Sequence, residues 1–256
     1  MTRRTVYLHG LPGSSAELSL AGPGSVWTDP ALVLAPDRNG LAEGVSALAR
    51  QITAWAGDSP IDLVGFSLGG AVALRLAPQL GQQVARIDLI APAAPLSLGS
   101  FLPDMAGGAL FGMARDRPRL FALVCGVQAL ASRIAPALLV KALLADVRGG
   151  DAGLAREPAF RALLAAILRQ TFATGASAYR AEIANYVSDW ESVLDAVSHP
   201  VNIWQGDQDN WVPPQMSRAL ASRLPAGARL ELLPGLSHYS ALQEFLARFS
   251  PGDSRP

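Results

Sequence analysis

Short apolar runs recur along the chain, and each ends at a glycine, a proline or an aspartate. Six of these runs have the length and composition of β-strands: residues 5–10, 31–37, 61–66, 86–92, 200–207 and 228–235. Between them, apolar residues follow a helical spacing, as at Val45, Leu48 and Ile52. Strands that are apolar on both faces and alternate with helices are typical of a parallel sheet covered on both sides. The pattern therefore predicts a three-layer α/β/α sandwich with a mostly parallel sheet of about six strands.

The alternation of strands and helices stops between about Pro95 and His199, where the pattern is helical and no clear strand occurs. We interpret residues 96–198 as a helical cap inserted into a core of residues 1–95 and 199–256. Breaks between its helices are expected at residues 115–118, 136, 148–151 and 173–177. The sequence SDWE at residues 188–191 matches a capping box and predicts the start of a helix that leads back to the core.

Composition narrows the classes of partner. Lys and Arg total 21 and Asp and Glu total 21, so the formal net charge is zero and no basic stripe is available for a phosphate backbone. We therefore expect no nucleic-acid partner. Apolar residues make up 50% of the chain and charged residues only 16%, so apolar packing must supply most of the stability. The single cysteine, Cys125, excludes an intrachain disulfide and fits a cytoplasmic location.

The sequence predicts no segment that spans a membrane. The most apolar stretch, residues 120–132, lies between Arg119 and Arg133 and is shorter than the roughly 18 to 20 residues that a span requires. The polar run HGLPGSS at residues 9–15 follows the first apolar run directly and leaves no room for a secretory signal. A buried or lid helix is the preferred interpretation of residues 120–132.

The sequence GFSLGG at residues 65–70 is the sharpest chemical signal, because it directly follows a predicted strand and precedes a helical pattern. Glycines two residues before and after Ser67 permit the sharp strand-to-helix turn that exposes a serine hydroxyl at the edge of a sheet. A serine hydroxyl is a poor nucleophile unless a nearby histidine accepts its proton. Ser67 is therefore a candidate nucleophile, and the alternative is a glycine-rich turn with an incidental serine.

Three histidines can be compared as the base: His9, His199 and His238. His199 precedes a strand, at the wrong end of a parallel sheet, and is interpreted as strand-edge packing. His9 is interpreted as shaping the loop that follows the first strand. His238 lies in the short loop LSHYS after the last strand, at the same sheet edge as Ser67, with residues 240–243 able to cap the final helix. It is the candidate base, and a solvent-facing loop histidine is the alternative.

A base that becomes an imidazolium needs a carboxylate to fix its tautomer and stabilise its charge. Asp207 and Asp209 both lie in the run GDQDNWVPP, where the fifth predicted strand ends. Position at the sheet edge alone leaves both as candidates.

Together these motifs resemble those of the α/β-hydrolases. The family pattern G-x-x-D-x-x-V-P falls on residues 206, 209, 212 and 213, which selects Asp209 as the acid and leaves Asp207 as a loop-capping neighbour. The chain order Ser67, Asp209, His238 matches the family order. The family commonly has two strands before the one that here begins at Thr5, so the resemblance implies a sheet without one edge hairpin.

The run HGLPG at residues 9–13 is similar to the family loop that supplies half of an oxyanion hole. By position, the resemblance implies that the backbone N–H groups of Leu11 and Leu68 bind the developing oxyanion. The alternative is an ordinary Gly/Pro turn.

The resemblance implies a serine hydrolase that cleaves a carboxylic ester through an acyl-enzyme on Ser67, with no cofactor or metal. Residues 121–131 and 134–145 are too apolar to be wholly exposed, so a small, largely apolar substrate is expected. Lactone, amide or carbon–carbon bond cleavage by the same residues is one alternative. A hydrolase-like small-ligand binding protein with little turnover is the other.

Overall fold

Six parallel strands form the centre of the protein. The computed structural model describes residues 3–38 and 44–253. The strands are β1 (Arg4–Leu8), β2 (Val33–Leu34), β3 (Ile61–Phe66), β4 (Val84–Ile90), β5 (Val201–Gly206) and β6 (Arg229–Leu233). They form one sheet in the order β2-β1-β3-β4-β5-β6, and each of the five described pairings is parallel. All six strands that the apolar runs predicted are confirmed.

Helices cover the sheet and confirm the α/β/α sandwich. The helices are α1 (Val45–Ala56), α2 (Leu68–Leu80), α3 (Gly108–Asp116), α4 (Pro118–Ile134), α5 (Pro136–Leu143), α6 (Gly149–Leu154), α7 (Pro158–Thr171), α8 (Ser177–Val187), α9 (Pro214–Arg223) and α10 (His238–Arg248). Helix α2 packs on β1, β3 and β4, while α9 packs on β5 and β6 and α10 packs on β4 and β5. The helical spacing at Val45, Leu48 and Ile52 is confirmed by α1.

The central strands are buried along nearly their whole length, which explains their continuous apolar pattern. Every residue of β3 is buried. The polar residues in these strands pair with one another: the Arg86 guanidinium lies 2.6 Å from Asp62 Oδ2 and 3.0 Å from Asp88 Oδ2. Because a buried charge is costly unless it is paired, these contacts make two aspartates and an arginine compatible with the core.

Helices α3–α8 lie between β4 and β5, in the segment interpreted as a cap. Their boundaries match the predicted breaks: α4 and α5 both begin at a proline, whose missing N–H costs nothing at a helix start. Helix α6 begins within residues 148–151, and α7 and α8 are separated by residues 172–176. The division into a core of residues 1–95 and 199–256 and a cap of residues 96–198 stays a prediction, and residues 1–2, 39–43 and 254–256 lie outside the described residues.

One predicted helix start is wrong. Ser188 does not begin a helix but ends α8, and its hydroxyl donates to the carbonyl of Asn185 at 2.7 Å. The next element is a short 3-10 helix, Glu191–Ala196, whose first N–H is accepted by Asp189 Oδ1 at 3.1 Å. The capping box fails because the Ser188 side chain is already bonded to the preceding turn.

None of the described helices is by itself long and apolar enough to cross a membrane. Helices α4 and α5 meet the length and composition requirement only when they are taken together, and the chain bends by 120° between them.

The turn from β3 into α2 is a tight junction. Ser67 has φ 56° and ψ −124°, a left-handed conformation that a side chain disfavours. Gly69, in the first turn of α2, lies so close to β1 that a Cβ atom there would be 1.9 Å from the carbonyl oxygen of Leu8. Gly69, two residues after Ser67, is therefore required by the contact between α2 and β1.

Gly69→Ala should lower the free energy of unfolding by about 3 kcal/mol, because the added methyl must displace backbone atoms of β1. Chemical denaturation measures the change. Gly126→Ala is the matched control: a Cβ at Gly126, in the middle of α4, meets nothing within 4 Å, so that variant should gain about 0.5–1 kcal/mol. If Gly69→Ala and Gly126→Ala were equally stable, the close contact between Gly69 and β1 would be contradicted.

Candidate active site

Ser67 directly follows β3, and its backbone is bonded to residues at and after the end of β4. Its N–H donates to the carbonyl of Ile90 at 2.9 Å, and its carbonyl accepts from the N–H of Ala93 at 3.1 Å. Both partners belong to the end of β4 and the residues after it. Ser67 lines the apolar cavity described below. Within residues 3–38 and 44–253, its hydroxyl forms no hydrogen bond with His238, and such contacts are often long before substrate binds.

His238 is the first residue of α10, not a loop residue before that helix. Ser237 is the N-cap, and its side chain and that of Ser240 bond to each other's backbone N–H groups in a capping box. The helix thus begins at His238, and the expectation that residues 240–243 cap it is wrong. The reason is that Ser240 serves as the third residue of the capping box, with Ser237 as the cap.

Asp209 contacts His238, and Asp207 does not. His238 Nδ1 lies 2.8 Å from Asp209 Oδ2, and both residues are buried. The other carboxylate oxygen of Asp209 accepts the N–H groups of Trp211 at 2.8 Å and Val212 at 3.0 Å. Asp207 is exposed and accepts the N–H of Gly235 at 2.8 Å. The geometry favours Asp209 as the partner of His238 and gives Asp207 the loop-capping position.

The surroundings of His238 favour its protonated form. Its ring lies 4.6 Å from the Phe66 ring centre and stacks on Trp211 at 5.5 Å. Burial lowers the pKa of His238, but the negative charge and hydrogen bond of Asp209, with the charges of Asp151 and Glu17, outweigh it and raise the pKa above its ordinary value. An imidazolium formed here is therefore stabilised.

The other two histidines are bonded elsewhere. His9 Nδ1 lies 2.8 Å from the carbonyl oxygen of Gly10, in the loop that follows β1. His199 Nε2 lies 2.9 Å from the carbonyl oxygen of Gly81, at the entry to β5. None of the three histidines is among the residues that line the cavity beside Ser67, so it is the contact with Asp209 that sets His238 apart. Within the described ranges, no group of three or more histidine, cysteine, aspartate or glutamate side chains could hold a metal ion.

A cavity of about 250 Å³ lies beside Ser67. Leu11 and Leu68, the residues whose N–H groups were predicted to bind an oxyanion, both line it. The remaining lining is largely apolar and comes mainly from α3, α4, α5, α7 and α8, with Trp211 and Val212 from the loop after β5. The cavity can therefore hold a small apolar molecule against the serine hydroxyl.

A buried glutamate supports the loop that carries Leu11. Glu17 Oε2 accepts the hydroxyl of Tyr7 at 2.6 Å and the N–H of Gly10 at 3.2 Å. Burial raises the pKa of Glu17 to about 7, against the opposing effect of these two hydrogen bonds. A Cβ atom at Gly13 would lie 2.5 Å from Glu17 Oε1, so the loop folds directly over this carboxyl group.

A buried arginine supports the same loop from another side. Arg38 donates to the carbonyl oxygens of His9 and, at 3.1 Å, of Gly10. The same guanidinium pairs with Glu182 of α8 at 2.5 Å. Arg38 therefore connects the predicted oxyanion loop to a helix of residues 96–198.

Asp151 makes a second connection from that segment to the site. Its carboxylate is fully buried and accepts the N–H of Tyr239 at 3.0 Å and both the N–H and the hydroxyl of Ser240 at 2.7 Å. These N–H groups belong to the first turn of α10, directly after His238. A carboxylate at this position satisfies N–H groups that have no partner within the helix. Asp151 thus stabilises the turn that carries His238.

Sequence reasoning missed the supporting residues Glu17, Arg38, Asp151 and Glu182. Asp151 lies in the run RGGD, which was interpreted only as a helix boundary. Arg38, Asp151 and Glu182 bond to partners distant in sequence, and Glu17 bonds to Tyr7 and Gly10 at spacings that match neither a helix nor a strand, so no local pattern points to these residues. Trp211, which stacks on His238, stands within the run GDQDNWVPP but carries no motif signal of its own.

Comparison with known proteins gives the same fold. The chain matches the Alpha/beta hydrolase family over residues 5–249. No curated protein sequence matches it significantly. A bromoperoxidase structure from Bacillus anthracis is 17% identical with a TM-score of 0.63, covering 97% of this chain and 89% of that one.

Two esterase structures are similar to the same degree. One, a thermophilic esterase from Thermogutta terrifontis, is 16% identical with a TM-score of 0.62, covering 97% of this chain and 87% of that one. The other, from Exiguobacterium antarcticum, is 16% identical with a TM-score of 0.58, covering 96% and 91%. At these identities the likeness concerns the fold.

The parallel six-stranded sheet and the serine at the sharp turn after β3 define an α/β protein of the hydrolase type. The match over nearly the whole chain makes the assignment specific: the protein belongs to the Alpha/beta hydrolase family.

Asp151→Ala should lower the free energy of unfolding by about 2 kcal/mol or more, because it leaves the buried N–H of Tyr239 without an acceptor and removes one of the two acceptors of the Ser240 N–H. Asp29→Ala is the control, since the Asp29 side chain is exposed and accepts the N–H of Ala31, while the backbone carbonyl that accepts Leu32 and Val33 is kept; it should change stability by less than about 1 kcal/mol. Urea denaturation compares the two, and equal losses would contradict the capping role of Asp151.

Proposed function

We propose that the protein is a serine hydrolase that cleaves a carboxylic ester of a small, largely apolar substrate. Ser67 is the nucleophile, His238 the base and Asp209 the carboxylate that orients the base. The observation that carries the proposal is the 2.8 Å contact between His238 Nδ1 and Asp209 Oδ2. With Nδ1–H donating to Asp209, Nε2 carries the lone pair that can accept the proton of a serine.

The reaction follows from these roles. His238 Nε2 takes the proton of the Ser67 hydroxyl as its oxygen attacks the ester carbonyl, and the N–H groups of Leu11 and Leu68 bind the oxyanion. The imidazolium then gives its proton to the leaving alcohol, which leaves an acyl group on Ser67. Water, deprotonated by His238, attacks this acyl group, and the imidazolium then returns the proton to Ser67 Oγ as the bond to the serine breaks and the acid is released. The raised pKa of His238 supports this cycle because it stabilises the imidazolium.

The apolar lining of the cavity supports the substrate class. Apart from a few polar groups, among them Gln128, Asp146 and Asn210, its walls are hydrophobic side chains and backbone. A neutral acyl chain fits such walls better than a charged one, because an ion there loses hydration without gaining a partner. We further propose that residues 96–198 act as the cap over Ser67 and that the enzyme works in the cytoplasm.

Ser67→Ala and His238→Ala should each remove nearly all hydrolysis of neutral p-nitrophenyl esters, by a factor on the order of 10⁴ or more, and the double variant should be scarcely worse. Steady-state kcat/KM values across a series of acyl lengths, with a dicarboxylate ester for comparison, measure both the loss and the preference for apolar chains. His199→Ala is the control and should keep activity.

A folded Ser67→Ala variant with a tenth of the wild-type kcat/KM would contradict the nucleophile. If lactones or amides were cleaved faster than esters, the proposed reaction would change, but the roles of Ser67, His238 and Asp209 would stay the same. Saturable ligand binding without any rate that depends on Ser67 would instead identify a binding protein.

Asp209→Asn should lower kcat/KM by a factor on the order of 10⁴, whereas Asp207→Asn should cost far less. The pH profile adds a second readout. His238 must be neutral to act, so wild-type kcat/KM should rise through its raised pKa, above the ordinary value of about 6.5, and then level. Removing the Asp209 charge should move this rise to lower pH. If Asp207→Asn cost more activity than Asp209→Asn, or if the rise moved to higher pH, the assignment of Asp209 as the acid would be wrong.

A further inference from the structure

Large apolar side chains are exposed on one side of α4. Five of them, here named the apolar stripe, are Leu120, Leu123, Val127, Leu130 and Ile134, and they are 41–74% exposed. Leu138 of α5 is 67% exposed and continues the stripe. Elsewhere in the described chain, only Val26 and Leu232 are exposed large hydrophobic residues. The exposure is therefore concentrated in one place and not scattered over the surface.

The apolar stripe is the outer side of a helix that is firmly packed on its inner side. Its residues recur at three- and four-residue spacing, so they share one side of α4 over about 21 Å. The opposite side of the helix is buried through Phe121, Cys125, Ala129 and Ser132. Since that side packs into the protein, the stripe is a surface that can lie against a partner, and α4 cannot leave the fold without losing its packing.

Basic residues flank the apolar stripe along the chain, although the whole chain has a formal net charge of zero, and one of them, Arg115, is paired with Asp116 at 2.8 Å. Between residues 115 and 148 the exposed charged residues are six cationic and two anionic. The cationic residues are Arg115, Arg117, Arg119, Arg133, Lys141 and Arg148. Apolar side chains bordered by arginine and lysine are typical of helices that lie in the interface of an anionic membrane.

We propose that the apolar stripe and the basic residues around it bind the surface of a bilayer containing anionic lipid. The leucine and valine side chains enter the boundary between headgroups and acyl chains, and the cationic residues contact the lipid phosphates. A second copy of the chain fits this surface less well. A twofold contact would bring two copies of the same predominantly cationic surface together, which is repulsive.

The position of the surface connects it to the cavity. Gln128 of α4 and Leu139, Ala142 and Leu143 of α5 line the cavity beside Ser67, while the apolar stripe lies on the outer side of the same pair of helices. A bilayer bound at the stripe would therefore lie next to a wall of the cavity. The binding itself does not depend on the reaction proposed for Ser67.

Vesicle flotation tests the proposal, with phosphatidylcholine vesicles that either contain or lack phosphatidylglycerol. The wild-type protein should float with the anionic vesicles, and added salt should weaken the binding. The double variant Leu123→Gln with Val127→Gln should bind about tenfold less or weaker still, and Arg117→Gln with Arg119→Gln should lose the preference for anionic vesicles. Val26→Gln and Arg50→Gln change an exposed apolar and an exposed basic residue outside the surface, and should bind like wild type.

Circular dichroism and hydrolysis of a water-soluble ester, which should be unchanged in all these variants, separate loss of binding from loss of folding or catalysis. Wild-type protein that fails to float, or a stripe variant that floats like wild type, would overturn the proposal. A concentration-dependent dimer that the stripe variant abolishes, without vesicle binding, would assign the surface to a second copy and overturn it as well.

Discussion

The close approach of α2 to β1 at Gly69 is the contact on which the rest of the site depends. A side chain at this position would strike the carbonyl oxygens of both Leu8 and His9, so the start of the helix after Ser67 touches the end of the strand that leads into the HGLPG loop. This one backbone contact sets the relative position of the serine and of the loop that carries Leu11. The strained conformation of Ser67 persists because packing on both sides over-determines it.

Much of the fold and the central residues could be predicted because their signals are local. Buried parallel strands are continuous apolar runs, and the glycines around Ser67 form a short motif at fixed spacing between a strand and a helix pattern, although the contact that requires Gly69 is with Leu8 of β1. The choice between Asp207 and Asp209 was different in kind: position at the sheet edge allowed both, and the family pattern favoured one. The structure adds the physical reason, since the N–H groups of Trp211 and Val212 hold the Asp209 carboxylate toward His238.

The buried charged residues that support the site could not be predicted, because each is stabilised by hydrogen bonds to residues outside its own helix or strand. Glu17, Arg38 and Asp151 each read as an ordinary charged residue in sequence, yet each is buried and bonded to the backbone of a neighbouring segment. Local rules also failed where two roles competed for one side chain. Ser188 had the sequence context of a helix start, but its hydroxyl bonds to the turn before it.

The capping of α10 by Asp151 makes two parts of the protein a single cooperative unit. Helix α6 is seated so closely that a Cβ at Gly150 would lie 2.7 Å from the side chain of Ser240, and the Gly150 N–H donates to the carbonyl of Gly235 at 2.9 Å. Local opening of α6 would therefore withdraw the acceptor from the Tyr239 and Ser240 amides at the same moment. Those amides would then exchange with solvent hydrogen at the rate at which α6 opens, although they lie in a different helix.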